Sequence, residues 1–247
     1  AITTEYIYNY LGKPLSVASY VRAGDLVGYD YSDQTLVKLT IQYTYDKNGN
    51  QLSVTAPNGV TTYYTYDNAG RKTGTSTQND NELGVLSLIH TSVTYTWDGK
   101  VLTQTDAKQN TTTNVYDGQG HVTKTITADG NTTAYYYDRA GRRIAVVSPN
   151  YYDETKTLDQ MNRTEYTYDQ MNRVKTISQT YFDSTSGVWI TYVEKAYQYD
   201  NVGNVIKELD ALGFAAGTGT TDDEKISTGY GTIKSYNLAG QMLTTSD

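Results

Sequence analysis

At 247 residues and a net charge of −7, the chain is long enough to bury a core and too acidic for general nucleic-acid binding, which needs a basic surface to neutralise phosphates. It contains no Cys, which excludes a disulfide framework and thiolate chemistry, and no stretch approaches the roughly 20 apolar residues of a membrane-spanning helix. Tyr supplies nearly all the aromatic content, 26 residues against 2 Phe and 2 Trp; with abundant Thr and Gly and only 3 Pro, this favours pleated strands joined by tight turns.

Along the chain one phrase keeps returning: Tyr-x-Tyr-Asp, two loose positions, Gly, then a basic or polar residue. It opens with an Asn variant at Asn9, followed by Lys13. It continues through Tyr43, Tyr45, Asp46 and Gly49, and then Tyr64, Tyr66, Asp67, Gly70 and Arg71. A copy at Asp98, Gly99 and Lys100 is read as carrying Trp97 in a Tyr position, with a turn one residue short. Next come Asp117 and Gly120, and Tyr135, Tyr137, Asp138, Gly141 and Arg142. Tyr166, Tyr168, Asp169, Asn172 and Arg173 form the following copy, in which Asn172 takes the Gly position, as Asn tolerates positive φ. Tyr197, Tyr199, Asp200 and Gly203 precede a last copy at Asn237 and Gly240. Anchors at 9, 46, 67, 98, 117, 138, 169, 200 and 237 are separated by 37, 21, 31, 19, 21, 31, 31 and 37 residues, a unit of 21 with elastic spacers.

Each unit reads as two strands and two turns. Residues 62–67 suit a strand, 68–70 a turn closed by the Asp67 carboxylate and Gly70, and Arg71 opens the return strand. Pro57-Asn58-Gly59 and 128–131 are the turns at the other end. The longer spacers, 85–95 and 188–193, remain β-rich and predict lengthened hairpins; 159–163 (DQMNR) copies 169–173 and is read as a turn; 213–231 is read as a long exposed loop. The expected fold is all-β: an extended, coiled antiparallel sheet of about 16–18 strands with no significant helix, in a single array over residues 1–247. Tyr residues two apart share a strand face and form cross-strand rows, beside which the basic residues stack or pair with turn carboxylates.

Candidate chemistry is sparse. Residues 46–50 (DKNGN) alternate oxygen ligands like the start of a calcium loop but lack the distal Glu, and they occupy the ordinary turn position of the repeat. Asp222-Asp223-Glu224 reads as a solvated loop. His90 and His121 stand far apart in sequence with no Cys or His cluster around them, and no nucleophile elbow occurs. No catalytic, cofactor or metal site is therefore predicted, and the chain is read as non-enzymatic. The competing functional reading is glycan binding on exposed Tyr and Trp faces, with Trp97 and Trp189 as the first residues to test.

The phrase and its 21-residue period resemble the YD repeat of the RHS family, best in 64–72, 135–144, 166–174 and 197–205. The resemblance runs over essentially the whole chain. It implies a sheet strip that spirals into a hollow shell, as in bacterial toxin complexes, polymorphic toxins, wall-associated proteins and teneurins. It also implies a secreted or surface-displayed bacterial scaffold, with further YD repeats of a longer chain, or other copies joined edge to edge, as partners and an enclosed toxin as possible cargo. Nothing here resembles the family's plug region with its self-cleaving aspartates, so those roles transfer to no residue of this chain.

Overall fold

The structure, a computed structural model, describes residues 3–23, 26, 32, 35–80 and 86–247. Among the described residues the strands belong to one eighteen-stranded antiparallel sheet, as the repeat spacing predicts. The chain divides into two compact units, Ala1–Thr113 and Asn114–Asp247.

The first unit is a meander of β1 (Thr4–Tyr8), β2 (Pro14–Arg22), β3 (Leu36–Tyr45), β4 (Gln51–Thr55), β5 (Thr61–Tyr66), β6 (Lys72–Asp80), β7 (Leu86–Tyr95) and β8 (Val101–Thr105), with β9 (Thr111–Tyr116) running across the division. Each strand runs antiparallel beside its predecessor, and short turns join β1 to β2, β3 to β4, β4 to β5, β5 to β6, β7 to β8 and β8 to β9. Val85, read with the lengthened β7 hairpin, lies outside the described residues. Among the described residues the unit buries few aliphatic side chains; Ala18, Ala23, Gly49, Ser53, Thr61 and Gly74 are its buried residues. Thr and Ser hydroxyls pair across strands instead: Thr44 with Ser53 at 2.7 Å, Thr55 with Thr61 at 2.9 Å, and Thr94 with Thr103 at 2.6 Å. Among the described residues no buried side-chain polar atom lacks a partner, so this polar interior carries no desolvation penalty for an unmade bond.

The second unit continues with β10 (Val122–Ile126), β11 (Thr132–Tyr137), β12 (Arg143–Val147), β13 (Arg163–Tyr168), β14 (Val174–Asp183), β15 (Val188–Tyr199), β16 (Val205–Asp210), β17 (Thr232–Tyr236) and β18 (Met242–Ser246). Two covers give it a denser core. The connection from Ser148 to Asn162 brings Met161, Leu158 and Tyr152 onto Ala134, Val147 and Tyr136 of the sheet. Two short helices, α1 (Ala211–Ala215) and α2 (Asp222–Thr228), lay Phe214 and Ile226 on Ala196 and Leu209. Beneath them Thr176, Ala196 and Leu209 stand directly opposite one another on β14, β15 and β16, all essentially inaccessible.

Three expectations fail, each for a physical reason. Residues 213–231 are not an open loop: the Asp210 carboxylate accepts from the Gly213 amide to start α1, and Thr221 with Glu224 forms a reciprocal capping box at the head of α2. Asp222 and Asp223 thus sit in the first helical turn, where the helix dipole favours negative charge. The DQMNR of 159–163 does not copy the turn at 169–173; Leu158–Gln160 is a 3-10 turn, and Arg163 already opens β13. Finally, the turn after β7 is not short. Its anchor is Thr96, whose amide donates to the Lys100 carbonyl and whose carbonyl accepts from Gly99, while its hydroxyl accepts from the Lys100 amide. Asp98 is a loop residue held by Thr96 and Lys100, and Trp97 takes no Tyr position: it stands 97% exposed at the tip. The corrected anchor spacing becomes 29 and 21 residues where 31 and 19 were read.

Candidate functional site

The repeated turns are the candidate site, and their geometry is nearly invariant. In the copy at 67–71, the Asp67 amide donates to the Arg71 carbonyl and the Gly70 amide to the Asp67 carbonyl, both at 3.0 Å. One Asp67 carboxylate oxygen accepts from the Ala69 and Arg71 amides at 2.9 Å; the other accepts from Arg71 Nε at 2.7 Å. Asp138 with Ala140 and Arg142, and Asp169 with Met171 and Arg173, repeat every one of these bonds. Asp46 and Asp200 replace the Arg by Asn50 and Asn204, and Asp117 uses His121. Asn9 and Asn237 accept the same pair of amides through Oδ1.

These contacts set the charge state of the turn. The backbone amide of the residue four positions on, then its side chain, holds Asp67, Asp117 and Asp138 below the usual carboxylate range against the opposing effect of burial. At Asp46 and Asp200 the leading cause is the Asn side chain. At Asp169 burial is the largest effect and pushes upward, but the Arg173 bonds and charge and the Met171 amide together outweigh it. In the calcium-like stretch both Asp46 oxygens already face the amides of Asn48 and Asn50 and the Asn50 side chain. Among the described residues no three His, Asp or Glu side chains converge as metal ligands. His90 bonds Ser76 at 2.7 Å on neighbouring strands.

Most of these turns also engage the next repeat. The last Tyr of the phrase sits beside a register shift, where two residues on the return strand oppose one. Its hydroxyl reaches back to the residue five beyond the preceding anchor. Tyr66 donates to the Gln51 carbonyl at 2.9 Å, Tyr95 to Lys72 at 2.8 Å, Tyr137 to Val122 at 2.9 Å, Tyr168 to Arg143 at 2.6 Å, Tyr199 to Val174 at 2.8 Å and Tyr236 to Val205 at 3.1 Å. Burial raises the pKa of Tyr66, Tyr137, Tyr168 and Tyr199, which keeps these hydroxyls protonated as donors. Over the same rings lie the basic residues of the preceding turn: Arg71 on Tyr95 at 4.6 Å, Arg142 on Tyr168 at 4.9 Å, Arg173 on Tyr199 at 4.5 Å and Lys13 on Tyr45 at 5.6 Å, with the His121 ring stacked on Tyr137 at 4.7 Å. Lys13, Arg71 and Arg173 then reach carbonyls of the following turn, Gly49, Thr96 and Asp200.

The first Tyr of the phrase takes a parallel role. Lys72 lies over Tyr64 and Arg143 over both Tyr135 and Tyr166, while Tyr197 packs against Tyr199 at 6.3 Å. Tyr43, Gly120 and Gly203 complete their copies, the two glycines with positive φ. The Gly position requires that conformation: Gly70 has φ +78°, and Asn172 adopts φ 62° there while its Oδ1 accepts from Arg142 at 2.8 Å.

Sequence reasoning missed that the opposite margin uses the same turn at Asp106, whose carboxylate accepts the Lys108 and Asn110 amides and the Asn110 side chain. Here Gln109 is forced to φ 68°. Gln109→Gly is expected to stabilise the protein by about 0.5–1 kcal/mol in chemical denaturation, since relief of left-handed strain exceeds the added freedom of the unfolded chain. A loss of stability would show that the Gln side chain, rather than the backbone, controls this turn.

A sequence profile described as the RHS repeat matches residues 45–81 and 116–152, two stretches of the same turn-and-strand unit. Both matched stretches carry the RHS repeat. The chain shares its fold with solved Tc toxin structures at low identity. Across 97% of this chain the TM-score to a crystal structure of TcdB2-TccC3-Cdc42 is 0.56 at 16% identity, and across 96% that to TcdB2-TccC3 without its hypervariable C-terminal region is 0.60 at 17%. A Photorhabdus luminescens Tc holotoxin pore structure matches all of it with a TM-score of 0.56 at 17% identity. The chain spans only 12–14% of those proteins. No curated protein sequence matches it significantly.

Proposed function

We propose that this chain is a wall segment of a secreted bacterial shell that encloses a toxin or other cargo, one continuous array within a longer run of RHS repeats. The observation carrying this reading is the Tyr-to-carbonyl and Arg-to-Tyr lock that joins each unit to the next without calling on any distant part of the chain. Such a lock extends by repetition. Met242 is the counterpart of Gln51, Lys72, Val122, Arg143, Val174 and Val205, so its carbonyl is the acceptor for the Tyr of a following unit; Tyr8 is the matching donor toward a preceding one. Among the described residues β1 and β18 each pair on one side only, and both are exposed along their length. Edges of this kind call for a further strand.

The turn Asp, Gly and Arg residues and the paired Tyr residues have, on this reading, a structural task and no catalytic one. Electron microscopy of the natural full-length protein is expected to show hollow particles, and fractionation of the producing cells to place it outside the cytoplasm. Solid particles, or a wholly cytoplasmic protein, would overturn the proposal.

A further inference from the structure

One cleft of the second unit has features that the scaffold does not require. It lies between the Ser148–Asn162 connection and the long β14–β15 hairpin and has a volume of about 360 Å³. Val146, Thr164, Gln179 and Tyr192 stand opposite one another on four adjacent strands and form its floor. The polar part of the floor is prearranged: the Thr164 hydroxyl donates to Gln179 Oε1 at 3.0 Å, and Gln179 Nε2 donates to Glu194 at 2.6 Å. Each of these groups keeps hydrogen-bonding capacity beyond those bonds, because an amide offers two N–H groups and a carboxylate about four acceptor positions.

The walls are phenol rings. Tyr181 and Tyr192 meet edge to face at 6.3 Å, and Tyr151 comes from the covering connection. Their exposures are 38%, 45% and 52%. The Tyr residues of the repeat lock are half-buried and spend their hydroxyls on the neighbouring unit, whereas these three line the cleft. Burying them would favour binding, and their hydroxyls supply polar contacts at the ring edges.

We propose that this cleft binds a neutral saccharide. A sugar ring presents a flat C–H face to an aromatic wall and paired hydroxyls to amide and carboxylate groups, and the volume suits one or two pyranose rings. Charge narrows the class. The cleft's cation, Arg163, is engaged by Glu165 at 2.8 Å, by Asp159 at 3.9 Å and by the carbonyls of Leu158 and Met161, while Glu194 brings negative charge to the rim. An anionic sugar would face Glu194 with no uncommitted cation to meet it. Trp97, 97% exposed at a turn tip of the first unit, lines no part of this cleft and is a built-in control.

The test is ligand-observed NMR of the purified protein with glucose, galactose, mannose, N-acetylglucosamine and the disaccharide cellobiose, with sialic acid as the anionic counterpart. The strongest binder is then titrated. The expected result is a Kd on the order of 1 mM for a neutral sugar and none for sialic acid. Tyr192→Ala and Gln179→Ala should each weaken binding about tenfold or more, and Trp97→Ala should leave it unchanged. Tyr192→Phe, which keeps the fold-compatible ring, should weaken it less than Tyr192→Ala. Absence of binding to every neutral probe, preference for sialic acid, or binding unaffected by Tyr192→Ala and Gln179→Ala in folded variants would overturn the proposal. Failure here would leave the shell reading untouched, since that rests on the turns.

Discussion

Leu209→Ala is expected to cost about 3 kcal/mol and to release the helical cover while the turns of the first unit stay protected. Leu209 is 0% exposed and lies at the end of the Thr176–Ala196–Leu209 row, under Phe214 and Ile226. Gly229 shows how closely the cover approaches: a Cβ there would come within 2.6 Å of a Leu209 methyl and 2.3 Å of the Gly213 carbonyl. Truncating Leu209 opens a cavity that these short helices have little intrinsic stability to refill. Hydrogen exchange is the decisive reading. Amides of α1 and α2 should exchange faster, whereas those of Asp46, Gly49, Asp67 and Gly70 should not change. Equal acceleration at all of these sites would show that the molecule unfolds as one cooperative body.

Acid should undo the repeat. The folded-state pKa values of Asp46, Asp67, Asp106, Asp117, Asp138, Asp169 and Asp200 lie below their ordinary values, so the unfolded chain binds more protons as pH falls. The stabilisation is complete above the unfolded carboxylate pKa of about 4 and disappears as pH drops through the lower folded values. Glu208, held down chiefly by Lys195, and Glu224, held by the Thr221 and Thr220 amides, act in the same direction. The melting temperature should therefore be level near neutrality and fall steeply from about pH 5 toward pH 2. Asn9 and Asn237 make the same turn without a titrating group. A triple variant Asp67→Asn, Asp138→Asn and Asp169→Asn should accordingly be less stable at neutral pH, through loss of its Arg pairs, yet show a flatter acid limb. An unchanged acid limb in that variant would move the acid sensitivity away from the turns.

The turns were legible because two chemical demands recur at fixed spacing: a side-chain acceptor at the anchor and a residue tolerating positive φ three positions later. Where the acceptor is the hydroxyl of Thr96, the eye follows Asp98 and misplaces the turn. Aligning on Gly12, Gly49, Gly70, Gly99, Gly120, Gly141, Asn172, Gly203 and Gly240 recovers the register, since the backbone requirement is stricter than the capping group. The same rule would have found Asp106, had Gln109 been admitted to the Gly position. The signal for α2 was present in Thr221-Asp222-Asp223-Glu224, a capping box hidden among glycines that suggested a loop. The cleft was not legible. Tyr151, Tyr181 and Tyr192 share no motif, and only strand register and the covering connection bring them together.

The reach of the unit-to-unit lock bears on how such a repeat array is made. Each Tyr hydroxyl bond spans between 15 and 31 positions, and the longest Lys or Arg reach to the following turn spans 36. A ribosome emitting the chain therefore delivers each new hairpin to an already completed template, and the emerging Tyr finds its acceptor in the segment synthesised just before it. Assembly can proceed at the pace of translation with only the latest strand edge exposed, which limits the unpaired surface a large β-protein would otherwise present to its neighbours while incomplete.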